Sequence, residues 1–167
     1  MLDSEKAVEW SKNILKPGGF FYMDDYIGAS RFQFSDEQLE IASNIRQAFY
    51  NTKYLIDPKE TDVYLPSKMN RINENKLIEL DPSEAADSGR IISAINKYFN
   101  NANIIYTGGV VYHLALNDII NNFDEQSDKH LLDILLIIDE LCIKLNLTHY
   151  GICLAQKEMN STQDMKN

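Results

Sequence analysis

Lys16-Pro17-Gly18-Gly19-Phe20-Phe21-Tyr22-Met23-Asp24-Asp25 is the stretch that decides the fold class. Pro17 cannot continue a helix and the two glycines permit positive φ, so the chain must turn sharply here. Phe20-Phe21-Tyr22-Met23 is apolar throughout and does not alternate, the pattern of a short strand covered on both faces. Ahead of the turn, residues 4–15 read as an amphipathic helix, with Ala7, Val8, Ile14 and Leu15 on its apolar side and Trp10 adding bulk. A helix, a tight glycine turn and a buried strand make an αβ unit, so an α/β sheet is expected.

Beyond the strand, residues 24–34 read as a loop, with Gly28 and Ser30 as its small members. Ser35-Asp36-Glu37-Gln38 carries a capping box, in which the serine caps a backbone N–H and Gln38 reaches back. The helix that it opens is expected to run to about residue 50, with Leu39, Ala42, Ile45 and Phe49 on one face. Residues 51–80 are polar, contain Pro58 and Pro66, and read as an irregular insertion or a lid over a site. Asp81-Pro82-Ser83-Glu84 signals a second helix start, which Gly89 weakens or splits before a further piece at 90–99. Ile104-Ile105-Tyr106 reads as a strand, and 110–120 is apolar and ambiguous between strand and helix. Leu131, Leu135, Ile138, Cys142 and Leu145 then follow the spacing of three and four that marks one helix face. Residues 149–156 read as a closing strand, and the polar segment 158–167 is expected to be a disordered tail. There is no internal repeat or low-complexity tract.

The 167 residues suffice for one domain with a real core, and 44% hydrophobic with 25% charged residues is ordinary globular composition. Net charge is −9 and the pI about 4.7, and the four arginines are scattered. Such a surface repels phosphate backbones, which argues against nucleic acid as a ligand. No apolar run approaches the roughly 18–20 residues needed to cross a bilayer, and no secretory leader pattern opens the sequence. Cys142 and Cys153 sit within apolar patterns and read as buried reduced thiols, which points to a cytoplasmic location.

Most active-site motifs are absent. None of the seven glycines forms Gly-x-Gly-x-x-Gly or a phosphate-cradling loop. His113, His130 and His149 lack metal spacing, and no serine or cysteine sits in a nucleophile elbow. Asp24-Asp25-Tyr26 ends the first strand, where ligands bind in open α/β sheets; these side chains form either a site for a substrate hydroxyl or a solvated turn. His113, in the apolar run 110–116, is either a satisfied core histidine or a donor or base in a pocket. Arg31-Phe32-Gln33-Phe34 lies between them, with Arg31 either binding an acidic or planar ligand or anchoring its loop by stacking.

Two of these stretches together resemble a known family. Ile14-Leu15-Lys16-Pro17-Gly18-Gly19-Phe20-Phe21 looks like the turn leading into the fifth strand of class I S-adenosylmethionine-dependent methyltransferases. The run from Asp25 to Leu39, DYIGASRFQFSDEQL, is similar to a bacterial branch in which the pattern reads roughly EYVGPSRFQWxDEQL. Asp25 replaces the usual glutamate there, and Ala29 the usual proline. Asp81-Pro82-Ser83-Glu84-Ala85, Gly108-Gly109 with His113, and Asn122-Phe123-Asp124 recur in the same order, so that the resemblance covers about residues 5–157.

The resemblance implies that residues 1–157 are the C-terminal half of such a domain. They would form a partial Rossmann-like sheet with flanking helices and a helical insertion, supplying strands 5, 7 and 6 of the order 3-2-1-4-5-7-6. The family's Gly-rich cofactor loop and its ribose-binding acid would precede residue 1. The intact domain would use S-adenosylmethionine, while this chain alone is expected to bind no cofactor and to be inactive. Asp25, Tyr26, Arg31, Gln33 and His113 would line the side that binds a small-molecule or glycan-like acceptor. The unpaired edge of Phe20-Phe21-Tyr22-Met23 would call for the missing half or for self-association. The alternative is a non-catalytic interaction protein, a relic of a methyltransferase.

Overall fold

The computed structural model describes residues 3–60 and 62–159. The chain opens with α1 (Ser4–Ile14), capped by the Asp3 carboxylate on the Lys6 N–H, and turns through Pro17–Gly19 into β1 (Phe20–Tyr26). Next come α2 (Asp36–Ala48), α3 (Glu74–Leu80), α4 (Ile91–Tyr98), β2 (Asn103–Gly108), α5 (Lys129–Lys144) and β3 (Tyr150–Gln156). The architecture is α/β, with a small open sheet of order β1-β3-β2 in which β3 is antiparallel to both neighbours.

The register explains the layers. Phe21 and Met23 lie opposite Ala155 and Cys153, and Ile104 lies opposite Cys153, so these residues share one face of the sheet. α1 and α4 cover that face through Val8, Ala94 and Ile95, with Phe99 stacked on Phe21 at 5.0 Å. The other face holds Phe20, Tyr22, Ile152, Leu154 and Ile105. Phe20 and Tyr22 are more than 60% exposed there, and Leu154 and Ile105 are exposed as well. The expectation of a strand covered on both faces is therefore corrected. β1 is an edge strand with one packed face, and its continuous apolar run reflects an uncovered apolar surface.

A second core forms beyond the end of the sheet. Phe34, Ala42 and Phe49 from α2 and its flanking residues meet Leu135 of α5 and the segment between β2 and α5. The capping box at Ser35 and Gln38 is present in both directions, and the α2 face expected from spacing is the one that packs. The ambiguous segment after β2 is a wide π-helical turn, Val110–Ala115, closed by the Leu116 N–H donating to the Val111 carbonyl. Residues 51–80 are not wholly irregular. They carry a 3₁₀ turn that buries Leu55, a bridge from Ile56 to Tyr64, and α3, none of whose residues is buried.

Two further expectations are revised. Asp81 does cap, accepting from the N–H groups of Ser83 and Glu84, but the chain continues as a run of turns rather than as a helix. The reason is tertiary: the Ala85 carbonyl accepts the Arg31 N–H, and Ala85 takes φ +45°, which ends any helix. On α5, Leu131, Leu135, Ile138 and Cys142 face inward, but Leu145 is 63% exposed. Ile134, Ile137 and Leu141 are exposed with it on a second apolar stripe. Cys142 and Cys153 are buried free thiols. From residue 160 onward the tail lies outside the described residues. No described helix is long and apolar enough to cross a membrane.

Candidate functional site

The carboxyl ends of β1 and β2 meet the start of β3, and there an aromatic and imidazole cluster forms. Tyr26 closes β1, and after it the N–H groups of Ile27 and Gly28 both donate to the His149 carbonyl, at 2.7 and 3.2 Å. This pins the chain so that the Tyr26 ring folds back and its hydroxyl donates to the Ala29 carbonyl. A Cβ on Gly28 would stand 2.6 Å from that hydroxyl, so only glycine lets the ring lie there. The Tyr26 ring lies 5.5 Å from His113 and 5.7 Å from Tyr150, edge-on to both. Burial raises its phenol far above the usual range, so it acts as a neutral donor.

His113 reaches this place through the π-helical turn. Gly108 and Gly109 have φ of +93° and +120°, which turns the chain out of β2. The buried Asp139 carboxylate of α5 then accepts from the N–H groups of Gly109 and Val111, both at 2.8 Å. One side chain thus satisfies two donors that the opening turn cannot pair internally. The His113 ring contacts His149, Nδ1 to Nδ1, at 3.2 Å, with the two rings perpendicular. His149 is wholly buried, stacked on Phe34 at 4.7 Å, and its Nε2 meets the Gln38 side-chain nitrogen at 3.1 Å.

Both imidazoles are held neutral. Burial lowers His113 below the ordinary histidine range. Burial, and then the proximity of His113, pulls His149 down to about 4 against an opposing hydrogen bond with the Gly109 backbone. Tyr150, beside them, is raised by burial first and then by Tyr112, Asp25 and Glu84.

The other expected site residues have different places. Asp25 is exposed at the end of β1 with one oxygen accepting the Tyr26 N–H, and it borders a cleft with Glu84 and Asp87. Arg31 is buried at φ +56°, and Phe32 beside it also has positive φ. The Arg31 guanidinium donates to the carbonyls of Pro82 and Glu84, so it anchors the loop by hydrogen bonds rather than by aromatic stacking. The Gln33 amide spans the carbonyls of Arg31 and Ile72, and it borders a second cleft of about 620 Å³ with Gly28, Phe34, Gln38 and Thr148. Tyr26 and His113 are brought together, while Arg31 and Gln33 hold the surrounding segments in place.

No family model, no curated protein and no solved structure matches this chain. Three members of the cluster, His149, Gln38 and Asp139, carry no functional signal in the sequence. His149 looks like the first residue of a strand, Gln38 like a capping residue and Asp139 like an interruption in an apolar helix. Among the described residues no group of three acids, histidines or cysteines is placed to hold a metal ion. The cluster offers aromatic walls, neutral imidazoles and a carboxylate at its rim. It is equipped to orient and desolvate a ligand rather than to attack one.

Proposed function

We propose that this chain is the trailing part of a class I S-adenosylmethionine-dependent methyltransferase domain and supplies the acceptor side of its site. The observation that carries the proposal is the open sheet: β3 lies between β1 and β2, and among the described residues no strand pairs with the outer edge of β1. That order is the one strands 5, 7 and 6 take in the family, where strand 4 pairs with the free edge. The apolar face around Phe20, Tyr22, Leu154 and Ile105 is what helices of a larger sheet would cover. The motif runs at 14–21 and 25–39 point the same way.

The residues present do not fit S-adenosylmethionine by themselves. No described strand leads into a Gly-x-Gly-x-x-Gly loop, since the pair Gly108-Gly109 after β2 runs into Val110-Val111, and the cleft at the end of β1 is walled by Asp25, Glu84 and Asp87. No step through the cofactor is therefore assigned to this chain. Its own contribution would be to seat a small-molecule or glycan-like acceptor against Tyr26 and His113, with the exposed Asp25 at the rim. A non-catalytic interaction module is the second reading, favoured by the same uncovered face.

Sedimentation decides the first point. The isolated chain is expected to self-associate at micromolar to millimolar concentration. Tyr22→Lys, which charges the open face at an already exposed position, is expected to shift it towards monomer at a cost within about 0.5 kcal/mol. A wild-type chain that stays monomeric throughout would overturn the incomplete-sheet account. Calorimetric titration with S-adenosylmethionine is expected to show no binding, and tight binding would refute the assignment of the cofactor site to other residues. Methyl transfer after mixing with a polypeptide carrying the first four strands supports the enzyme; assembly without transfer supports the interaction module.

A further inference from the structure

The capping box of α2 fixes the orientation of the Gln38 side-chain amide. The Ser35 N–H donates to Oε1 of Gln38 at 2.9 Å, so that oxygen is committed and the Gln38 amide cannot turn over without opposing two donors. The Gln38 Nε2 group is therefore a donor where it meets Nε2 of His149, and that nitrogen must accept. A neutral imidazole that accepts at Nε2 carries its hydrogen on Nδ1. The Nδ1–H of His149 then lies between the Gly109 backbone and Nδ1 of His113, the latter 3.2 Å away, and a hydrogen on that His113 nitrogen would oppose a donor, so it is left bare. The hydrogen of neutral His113 is thereby placed on Nε2.

Among the described residues that last nitrogen has no hydrogen-bond partner, whereas none of their buried side-chain nitrogens or oxygens is left unpaired. The Nε2–H of His113 therefore reaches solvent, framed by the rings of Tyr26 and Tyr150. We propose that Gln38 and His149 are positioning residues that fix His113 as a hydrogen-bond donor through Nε2, so that the site takes a ligand group offering a lone pair and not a proton. This deepens the role given to His113 above and rests on that reading only for the identity of the ligand. The proton relay is a property of the folded chain whether or not methyl transfer occurs. It excludes His113 as a general base in its resting form, because the basic nitrogen is turned inward and already occupied. Neutrality of both rings near pH 7 agrees with their lowered affinity for protons.

The test is long-range ¹H–¹⁵N correlation on the ¹⁵N-labelled full chain at pH 7, which separates protonated from unprotonated ring nitrogens. His149 protonated on Nδ1 alone and His113 on Nε2 alone is the expected pattern. Protonation of His149 on Nε2, or of His113 on Nδ1, overturns the proposal in the wild-type protein without recourse to any variant. Gln38→Glu keeps the acceptor for the Ser35 N–H and replaces the donor facing His149 with a carboxylate oxygen. It is expected to put a proton on Nε2 of His149, and a nitrogen that stays bare there would show that Gln38 does not govern the relay. A purely structural Gln38 would change stability in this variant and leave the nitrogen pattern as it was. Failure of methyl transfer in the assembled domain would count against the enzyme and leave the nitrogen pattern standing.

Discussion

Asp139→Ala is expected to destabilise the fold by about 4 kcal/mol, since it removes two charge-assisted hydrogen bonds and leaves two backbone donors buried without partners. The Asp139 carboxylate is the only acceptor that the structure provides for the N–H of Gly109 and for that of Val111 among the described residues. The carboxylate is buried and Gly108 packs against it, so a water taking its place in the variant would offer the two N–H groups only a neutral acceptor. Asp139→Asn keeps one acceptor and turns an amide donor towards the other N–H, so about half of the loss is expected. Urea denaturation of both variants against wild type measures the difference. A loss below about 1 kcal/mol for the alanine variant would mean that the turn finds other acceptors. The consequence for the site is direct, because this turn carries His113.

Acidification is the second large effect. His149 protonates at about 4 in the folded chain against an ordinary 6.5, so its charged form favours the unfolded state. The stability tied to its neutral form is complete above pH 6.5 and is lost progressively as pH falls towards 4, to a total of roughly 3 kcal/mol. His113, also lowered, adds in the same direction. Unfolding free energies measured from pH 7 to 4.5 are expected to fall steeply for the wild type. They should fall much less for His149→Gln, whose amide can still accept from Gln38. Parallel pH profiles for the two proteins would show that His149 is not the acid-labile element. Comparison of the slopes between pH 6.5 and 5 separates this loss from carboxylate titration, which begins lower.

Acid loosening would reach the candidate site first. Protonated His149 would present an N–H to the Gln38 amide donors and drive the two side chains apart. The Phe34 stack and the perpendicular contact with His113 depend on the same ring. The residues that orient the ligand-facing donor are thus also among those that limit stability in acid.

What the sequence determined by itself is what short-range physics can write. The Pro17–Gly19 turn, the capping box at Ser35 and Gln38, and the three-and-four spacing of Leu131, Leu135, Ile138 and Cys142 place β1, α2 and α5 to within a few residues. Each depends on backbone geometry and side chains less than four turns apart. The α/β class comes from the alternation of these elements. That β3, last in the chain, inserts between β1 and β2 is the order the family resemblance implied, while the tertiary structure alone decided that β1 keeps one face bare. A run such as Phe20-Phe21-Tyr22-Met23 reads the same whether its outer face is covered or merely apolar. Tertiary contacts also decided the turns at 81–87, where the Ala85 carbonyl is taken by Arg31 and the local helix signal is overridden. The imidazole relay has the same origin, since Gln38 and His149 are 111 positions apart and nothing near either residue announces the other. Local signals set the elements, because caps and periodicity act within a few turns of backbone. The site came from long-range packing, which brings a capping residue, a strand's first histidine and a turn's exposed one into a single line of hydrogen bonds.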